Sequence, residues 1–173
     1  FVNMNKNNTL KDLKCLKISA NKSYRVFTSS NPLKDDLKPY SKRISVIYSG
    51  HDFKKKYNKE RIKNQLINIC YLGFLRNNLE INWLIKASNE KNFSLNFVGL
   101  IEDESFFKNL RNNKSVKFYD AISGSDLQNL ISKFDVFLLP YTNHPINTKT
   151  TVPAKLFQYL ACGRPIVSSR LDN

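Results

Sequence analysis

A chain of 173 residues that is 41% hydrophobic and 24% charged can bury a core, and it shows no apolar run of membrane-spanning length and no visible signal peptide. Its formal net charge of +14 is uneven, because residues 1–66 hold 16 Lys/Arg against 5 Asp/Glu while residues 67–173 hold 12 against 9. Cys15, Cys70 and Cys162 are scattered without metal-ligand or redox spacing, which argues against a disulfide scaffold or zinc module and for reduced thiols in the cytosol.

At the start of the chain Leu10, Leu13 and Leu16, at three-residue spacing, suggest a helix in an otherwise weakly patterned polar stretch. Residues 24–28 (YRVFT) read as a short strand. Ser30 or Asn31 can cap a helix with Pro32 at its first position, running towards Lys38 before Pro39. Residues 44–48 form a second strand, closed by Ser49-Gly50-His51-Asp52, where Gly50 supplies a backbone turn. Residues 54–63 (KKKYNKERIK) are expected to be an exposed basic connector. The positive excess thus belongs to the leading third. Solvated lysines in a Lys/Asn-rich composition account for it first, and an anionic membrane surface second. Nucleic acid comes last, since no helix-turn-helix, zinc-finger or RNP-type motif is present.

A second run of elements starts near Gln65. Ile67–Leu72 (INICYL) is nearly all apolar, as in a strand covered on both faces, and Gly73 ends it. Residues 78–87 follow as a partly apolar helix around Leu79, Trp83 and Lys86. Residues 94–98 alternate and stop at Gly99. Glu102, Asp103 and Glu104 precede Phe106, Phe107 and Leu110, which puts acidic residues in the first turn of a further helix. Residues 116–119 read as the next strand. Ser123 or Ser125 caps a helix over 126–133 whose apolar face is Leu127, Leu130 and Ile131. Val136–Leu139, stopped by Pro140, reads as a buried strand. Pro153, Leu156, Phe157, Leu160 and Ala161 then share one helical face, with Pro153 in the first turn, Thr150 or Thr151 as cap, and Gly163 with Pro165 as the stop. Residues 166–168 begin a last strand. Strands alternating with helices from 67 to 168 predict a doubly wound, parallel, Rossmann-like α/β sheet.

From Val136 to Leu171 there is no Asp or Glu, while Lys149, Lys155, Arg164 and Arg170 are present. Lys155 falls in a first helical turn, where the helix dipole disfavours a cation by roughly 0.3–1 kcal/mol. A lysine there, beside free amides and hydroxyls, fits a site for an external anion, at the carboxyl ends of strands where such folds bind ligands. A solvated lysine is the plain alternative. Arg76, in the loop after Gly73, is suited either to fork onto phosphate oxygens or to cap a surface turn. No GxGxxG or P-loop sequence exists, so a dinucleotide cofactor or NTP hydrolysis has little support. His51 and His144 stand alone in loops and receive no catalytic role. No Ser-His-Asp, paired-carboxylate or metal-ligand set can be assembled, and no metal site is expected.

The run 134–169, FDVFLLPY…TTVPAKLFQYLACGRPIVSS, closely resembles the donor-binding domain of GT-B glycosyltransferases. In particular it is similar to the bacterial family 1/4-type enzymes that build capsule, lipopolysaccharide or other cell-surface glycans. Members read approximately D-[VI]-x-[LIV]-x-P, a loop, then P-x-K-x-[FL]-E-Y-[LM]-A-x-G-x-P-[IV]-V. Two positions differ. Gln158 stands where the family has Glu, and Thr150 stands where many retaining members carry a second Glu. An amide at 158 still donates and accepts towards a ribose hydroxyl, without a charge-assisted bond.

The resemblance implies that residues 1–52 end an acceptor-side Rossmann-like domain, 53–64 are a basic linker, and 65–173 are a donor-binding domain. A chain that starts at Phe1 is then expected to be a piece of a longer enzyme. The implied activity moves a sugar from a nucleotide-diphosphate donor to a glycan or lipid-linked acceptor, with retention of configuration and without metal or other cofactor. The implied setting is the cytoplasm, peripheral at the inner face of the cell membrane. Arg76 and Lys155 take the catalytic roles by neutralising the departing diphosphate. Gly73, Asp120, Ala121, Ile122, Pro140, Tyr141, Thr150, Thr151 and Gln158 are the implied donor-binding residues. Two other readings stand beside it. One is a catalytically silent nucleotide- or glycan-binding module, which Thr150 and Gln158 make conceivable. The other is a nucleotide-sugar epimerase, which needs cleft carboxylates and histidines that the sequence does not offer.

Overall fold

The computed structural model describes residues 6–50, 66–144 and 152–171, with side chains from residue 14 onward. Among them the chain forms two compact units, one of residues 6–49 and one of 66–144 with 153–171. The basic connector expected over 54–63 lies outside the described residues, as do His51, Thr150 and Thr151.

The first unit contains α1 (Lys6–Lys22), β1 (Val26–Thr28), α2 (Asn31–Leu37) and β2 (Ile44–Val46). β1 and β2 pair in parallel, Val26 opposite Ile44, with α2 as the crossover. Ser30 caps α2, its Oγ accepting from the Leu33 amide at 3.4 Å, and Pro32 sits in the first turn where its missing N–H costs nothing.

The second unit alternates strands and helices throughout: β3 (Ile67–Leu72), α3 (Ile81–Ser88), β4 (Phe93–Val98), α4 (Glu104–Arg111), β5 (Val116–Tyr119), α5 (Gly124–Ile131), β6 (Val136–Leu139), α6 (Ala154–Cys162) and β7 (Ile166–Ser168). The five strands are parallel and lie in the order β5-β4-β3-β6-β7. The order reverses between β3 and β6, so the crevice in which doubly wound sheets bind ligands opens there, at the carboxyl ends of the strands.

Both faces of the sheet are covered, which explains its apolar runs. Ile69, Tyr71, Leu95 and Phe97 pack with Leu84 of α3 and with Phe107 and Leu110 of α4. The alternate residues Cys70, Leu72, Phe137 and Leu139 pack with Ile131 of α5 and with Tyr159 and Cys162 of α6. Burying each large side chain contributes roughly 1.5–3 kcal/mol relative to leaving it exposed. Within the core, Asn96 is 1% exposed yet satisfied, its Nδ2 donating to the carbonyls of Ile69 (3.2 Å) and Ser94 (2.9 Å).

Four local expectations are corrected. Helix α3 starts at Ile81 and not at Asn78, because the segment before it is tied to the end of β6. The Glu80 amide donates to Pro140 O at 2.8 Å, the Thr142 amide donates to Asn78 O at 2.9 Å, and Leu79 is buried. Strand β4 is buried from Ser94 to Val98 and so shows no alternation of exposure. Pro153 occupies the cap position of α6, extended at φ −64° and ψ 125°, and the helix proper begins at Ala154. The buried residues of α6 are Tyr159 and Cys162, whereas Leu160 is exposed. Tyr159 wins the inward position because its ring stacks on Phe137 (4.4 Å between centroids, 11° between planes) and its hydroxyl accepts from the Leu72 amide at 2.9 Å. No aliphatic side chain can do both.

Candidate functional site

The carboxyl ends of β3 and β4 continue their pairing past two glycines. The Gly73 amide donates to Val98 O and the Leu75 amide to Leu100 O, both at 2.8 Å, and the Glu102 amide donates to Leu75 O at 3.1 Å. Gly73 has φ 115° and Gly99 φ 143°, and a Cβ on Gly99 would lie 2.3 Å from the Gly73 carbonyl oxygen. Only glycine fits that approach. From sequence Gly99 reads merely as a strand terminator; a Gly at the ends of two successive strands is the signal of the closer role.

Above Gly73 lies the Lys155 amine, which a Cβ on Gly73 would meet at 2.8 Å. Helix α6 projects this side chain over the sheet end, where Nζ sits 3.8 Å from the Tyr71 ring centroid and 5.6 Å from that of Tyr141. Burial first, and the nearby Arg76 guanidinium second, bring the Lys155 amine down to about 7. Among the described residues it has no ion-pair partner. Burial also pushes the Tyr141 hydroxyl up to about 12, and it raises Tyr71 well above the usual range. Tyr71 donates to Phe74 O at 3.0 Å, which fixes its ring beneath the amine.

Beside the amine is a cavity of about 270 Å³, walled by Leu72, Gly73, Val98, Gly99 and Leu127, and reached by Ala121, Ile122, Lys155 and Gln158. Five of the residues singled out from sequence therefore meet around one space: Gly73, Ala121, Ile122, Lys155 and Gln158. Tyr141 faces Lys155 from the end of β6. Pro140 is buried and serves through its carbonyl, which holds Glu80. Asp120 is exposed and stands just outside the cavity wall. Arg76 is also outside it: its Nε lies 2.6 Å from Glu102 Oε2, its Nη2 donates to Glu102 Oε1 at 2.7 Å, and its guanidinium lies 4.8 Å from the Phe74 ring centroid. His144 is exposed in the loop after Tyr141. Among the described residues no cluster of three or more His, Cys, Asp or Glu could hold a metal, and no helix is long and apolar enough to cross a membrane.

A five-stranded, doubly wound parallel sheet with a crevice at its strand ends has the architecture of a GT-B glycosyltransferase domain. The description "Glycosyl transferases group 1" matches residues 67–173, and the chain belongs to that family. No curated protein matches it. Solved structures share the fold. The apo form of the lipopolysaccharide outer core galactosyltransferase WaaB is 17% identical with a TM-score of 0.63, over 86% of this chain and 44% of that one. HepE from Anabaena, in complex with UDP-glucose, is 16% identical with a TM-score of 0.68, over 95% of this chain and 50% of that one. A single-site mutant of S. aureus TarM, in complex with fondaparinux, α-GlcNAc-glycerol and UDP, is 12% identical with a TM-score of 0.64, over 99% of this chain and 35% of that one. The chain thus spans half or less of the length of these structures.

Proposed function

We propose that this chain supplies the donor side of a glycosyltransferase that moves a sugar from a nucleotide-diphosphate donor to a glycan or lipid-linked acceptor in cell-surface polysaccharide synthesis. One observation carries the reading. Lys155 is held over aromatic rings at the strand ends, largely stripped of water and without a carboxylate partner among the described residues. Such a cation gains most from an incoming anion, because its attraction acts in a low-dielectric setting.

In this reading the diphosphate lies over Gly73 and Gly99, whose lack of side chains lets it approach the backbone. Lys155 and Arg76 neutralise the charge that grows on the leaving diphosphate, with no bound metal required. Gln158 hydrogen-bonds the ribose, and the Ala121–Ile122 segment borders the base. Tyr141, Pro140, Asp120, Thr150 and Thr151 complete the donor surroundings. Transfer proceeds with retention, by likeness to the family. The neighbours support the choice of ligand: HepE is a complex with UDP-glucose and the TarM mutant a complex with UDP. Contact with an anionic membrane surface, drawn from the basic residues 1–66, belongs to the same proposal.

A specific observation favours a second reading, a silent donor-binding module. The cavity wall carries the amide of Gln158 where the family has a carboxylate. A thermal-shift titration of the intact protein against UDP, GDP, CDP and dTDP, repeated with Lys155→Ala, tests binding. A nucleotide at a hundred times its dissociation constant adds about 2.7 kcal/mol of stability. The expected outcome is a shift with one nucleotide that the variant loses, and no shift in the folded protein would overturn the reading. Donor turnover with acceptor then separates transferase from silent module.

A further inference from the structure

We propose that Glu102 is the positioning residue for Arg76, holding its guanidinium side-on so that the opposite edge faces the donor diphosphate. This rests on the donor-site reading above. The sequence offered Glu102 only as one of three acids at a helix start, yet helix α4 is capped by Asp103, whose carboxylate accepts from the Ser105 and Phe106 amides. Glu102 lies just before that cap, and its backbone is locked to the other loop: its amide donates to Leu75 O, and Leu75 and Ile101 form a parallel bridge. Two residues that carry opposite charges are thereby fixed on adjacent strand extensions.

The pairing geometry decides what the carboxylate does. A guanidinium has five N–H donors. Glu102 takes Nε and one hydrogen of Nη2, leaving the Nη1 edge to a second anion. Phe74 supports the plane of the group from one side. A carboxylate that competed with the diphosphate would occupy the outer edge instead. Arg76 and Glu102 are each 45% exposed, so the pair adds little to folding and its value lies in orientation. Arg76 is also close enough to depress the Lys155 amine, so the neutralising charge of Glu102 keeps two cations together in the empty site.

A double-mutant cycle in the intact protein tests this, reading dissociation constants by calorimetry for UDP, GDP, CDP and dTDP. Glu102→Gln should weaken the tightest of them about tenfold, with little change in melting temperature. In an Arg76→Ala background the same substitution should cost nothing further, because its effect passes through Arg76. A second readout is the pH midpoint of binding, set by Lys155 among Cys70, Tyr71, Arg76 and Tyr141. It should move to lower pH in Glu102→Gln, where Arg76 is no longer neutralised. Additive losses, or tighter binding in Glu102→Gln, would overturn the assignment while leaving the donor site intact. If no nucleoside diphosphate binds the wild-type protein, the donor-site reading fails and the role of Glu102 falls with it.

Discussion

Two hollows in this chain hold cations on different terms. The wider, about 460 Å³, lies in the first unit and is lined by Tyr24, Lys38, Tyr40, Lys42 and Arg43 with four smaller neighbours. Its charges are exposed to water. Lys38 pairs with Asp35 at 2.7 Å with both side chains 62% exposed, and the Arg43 guanidinium lies 4.3 Å from the ring centroid of an exposed Tyr24. The narrower, about 270 Å³, has Lys155 as its single charged wall residue. That cation is buried against Tyr71, unpaired by any described carboxylate, and brought down to about 7. Counting charges favours the first region; desolvation favours the second. Exposed charges at salt are screened, whereas a buried cation waits for a partner.

The sharpest way to break this comparison is to remove cations from each hollow in turn. Lys155→Met should weaken nucleoside diphosphate binding about 10- to 100-fold, the range for losing a hydrogen bond to a charged group. Replacing Lys38, Lys42 and Arg43 together by alanine should change the same dissociation constant less than about twofold, since exposed charges contribute little. Calorimetry on the two variants decides between them. A smaller contrast is structural. Tyr159→Phe strands the Leu72 amide in the core and should cost about 1–3 kcal/mol in a denaturant melt. Tyr24→Phe, at an exposed ring in the first hollow, should stay within about 0.5 kcal/mol.

A further contrast lies in pH dependence. Lys155 goes from an ordinary 10.5 in the unfolded chain to about 7 in the fold. Between those values the unfolded state binds more protons, so ligand-free stability should rise with pH from about 7 towards 10.5. Below about 7 the buried amine is charged and its penalty is present in full. Lys155→Met should flatten the rise, as melts at stepped pH would show.

Much of the fold was legible because covered strands announce themselves. Strands β3 and β6 begin and end where their apolar runs do, at the stops Gly73 and Pro140. Two of the misreadings share a cause, a long-range partner that no local pattern shows. Asn78 and Glu80 give their backbone groups to Pro140 and Thr142 and so leave the helix. Tyr159 turns inward for Phe137 and the Leu72 amide, and Leu160 goes out. At the candidate site, Lys155, Gly73, Ala121, Ile122 and Gln158 were legible from spacing and resemblance. Gly99 was not, because its reason is the Gly73 carbonyl, and Glu102 was not, because its partner Arg76 belongs to the loop after another strand.

Proton uptake on binding tests the buried-cation account most directly. A nucleoside diphosphate is titrated calorimetrically at pH 8 in buffers of different ionisation enthalpy, above the pKa near 6 of its own terminal phosphate. Lys155 is then mostly neutral in the empty site and charged in the complex. The account predicts uptake approaching one proton in the wild-type protein and none in Lys155→Met, with affinity falling by up to about tenfold per pH unit above about 7. Tight binding with no proton uptake, unchanged in the variant, would mean that the anion does not meet Lys155.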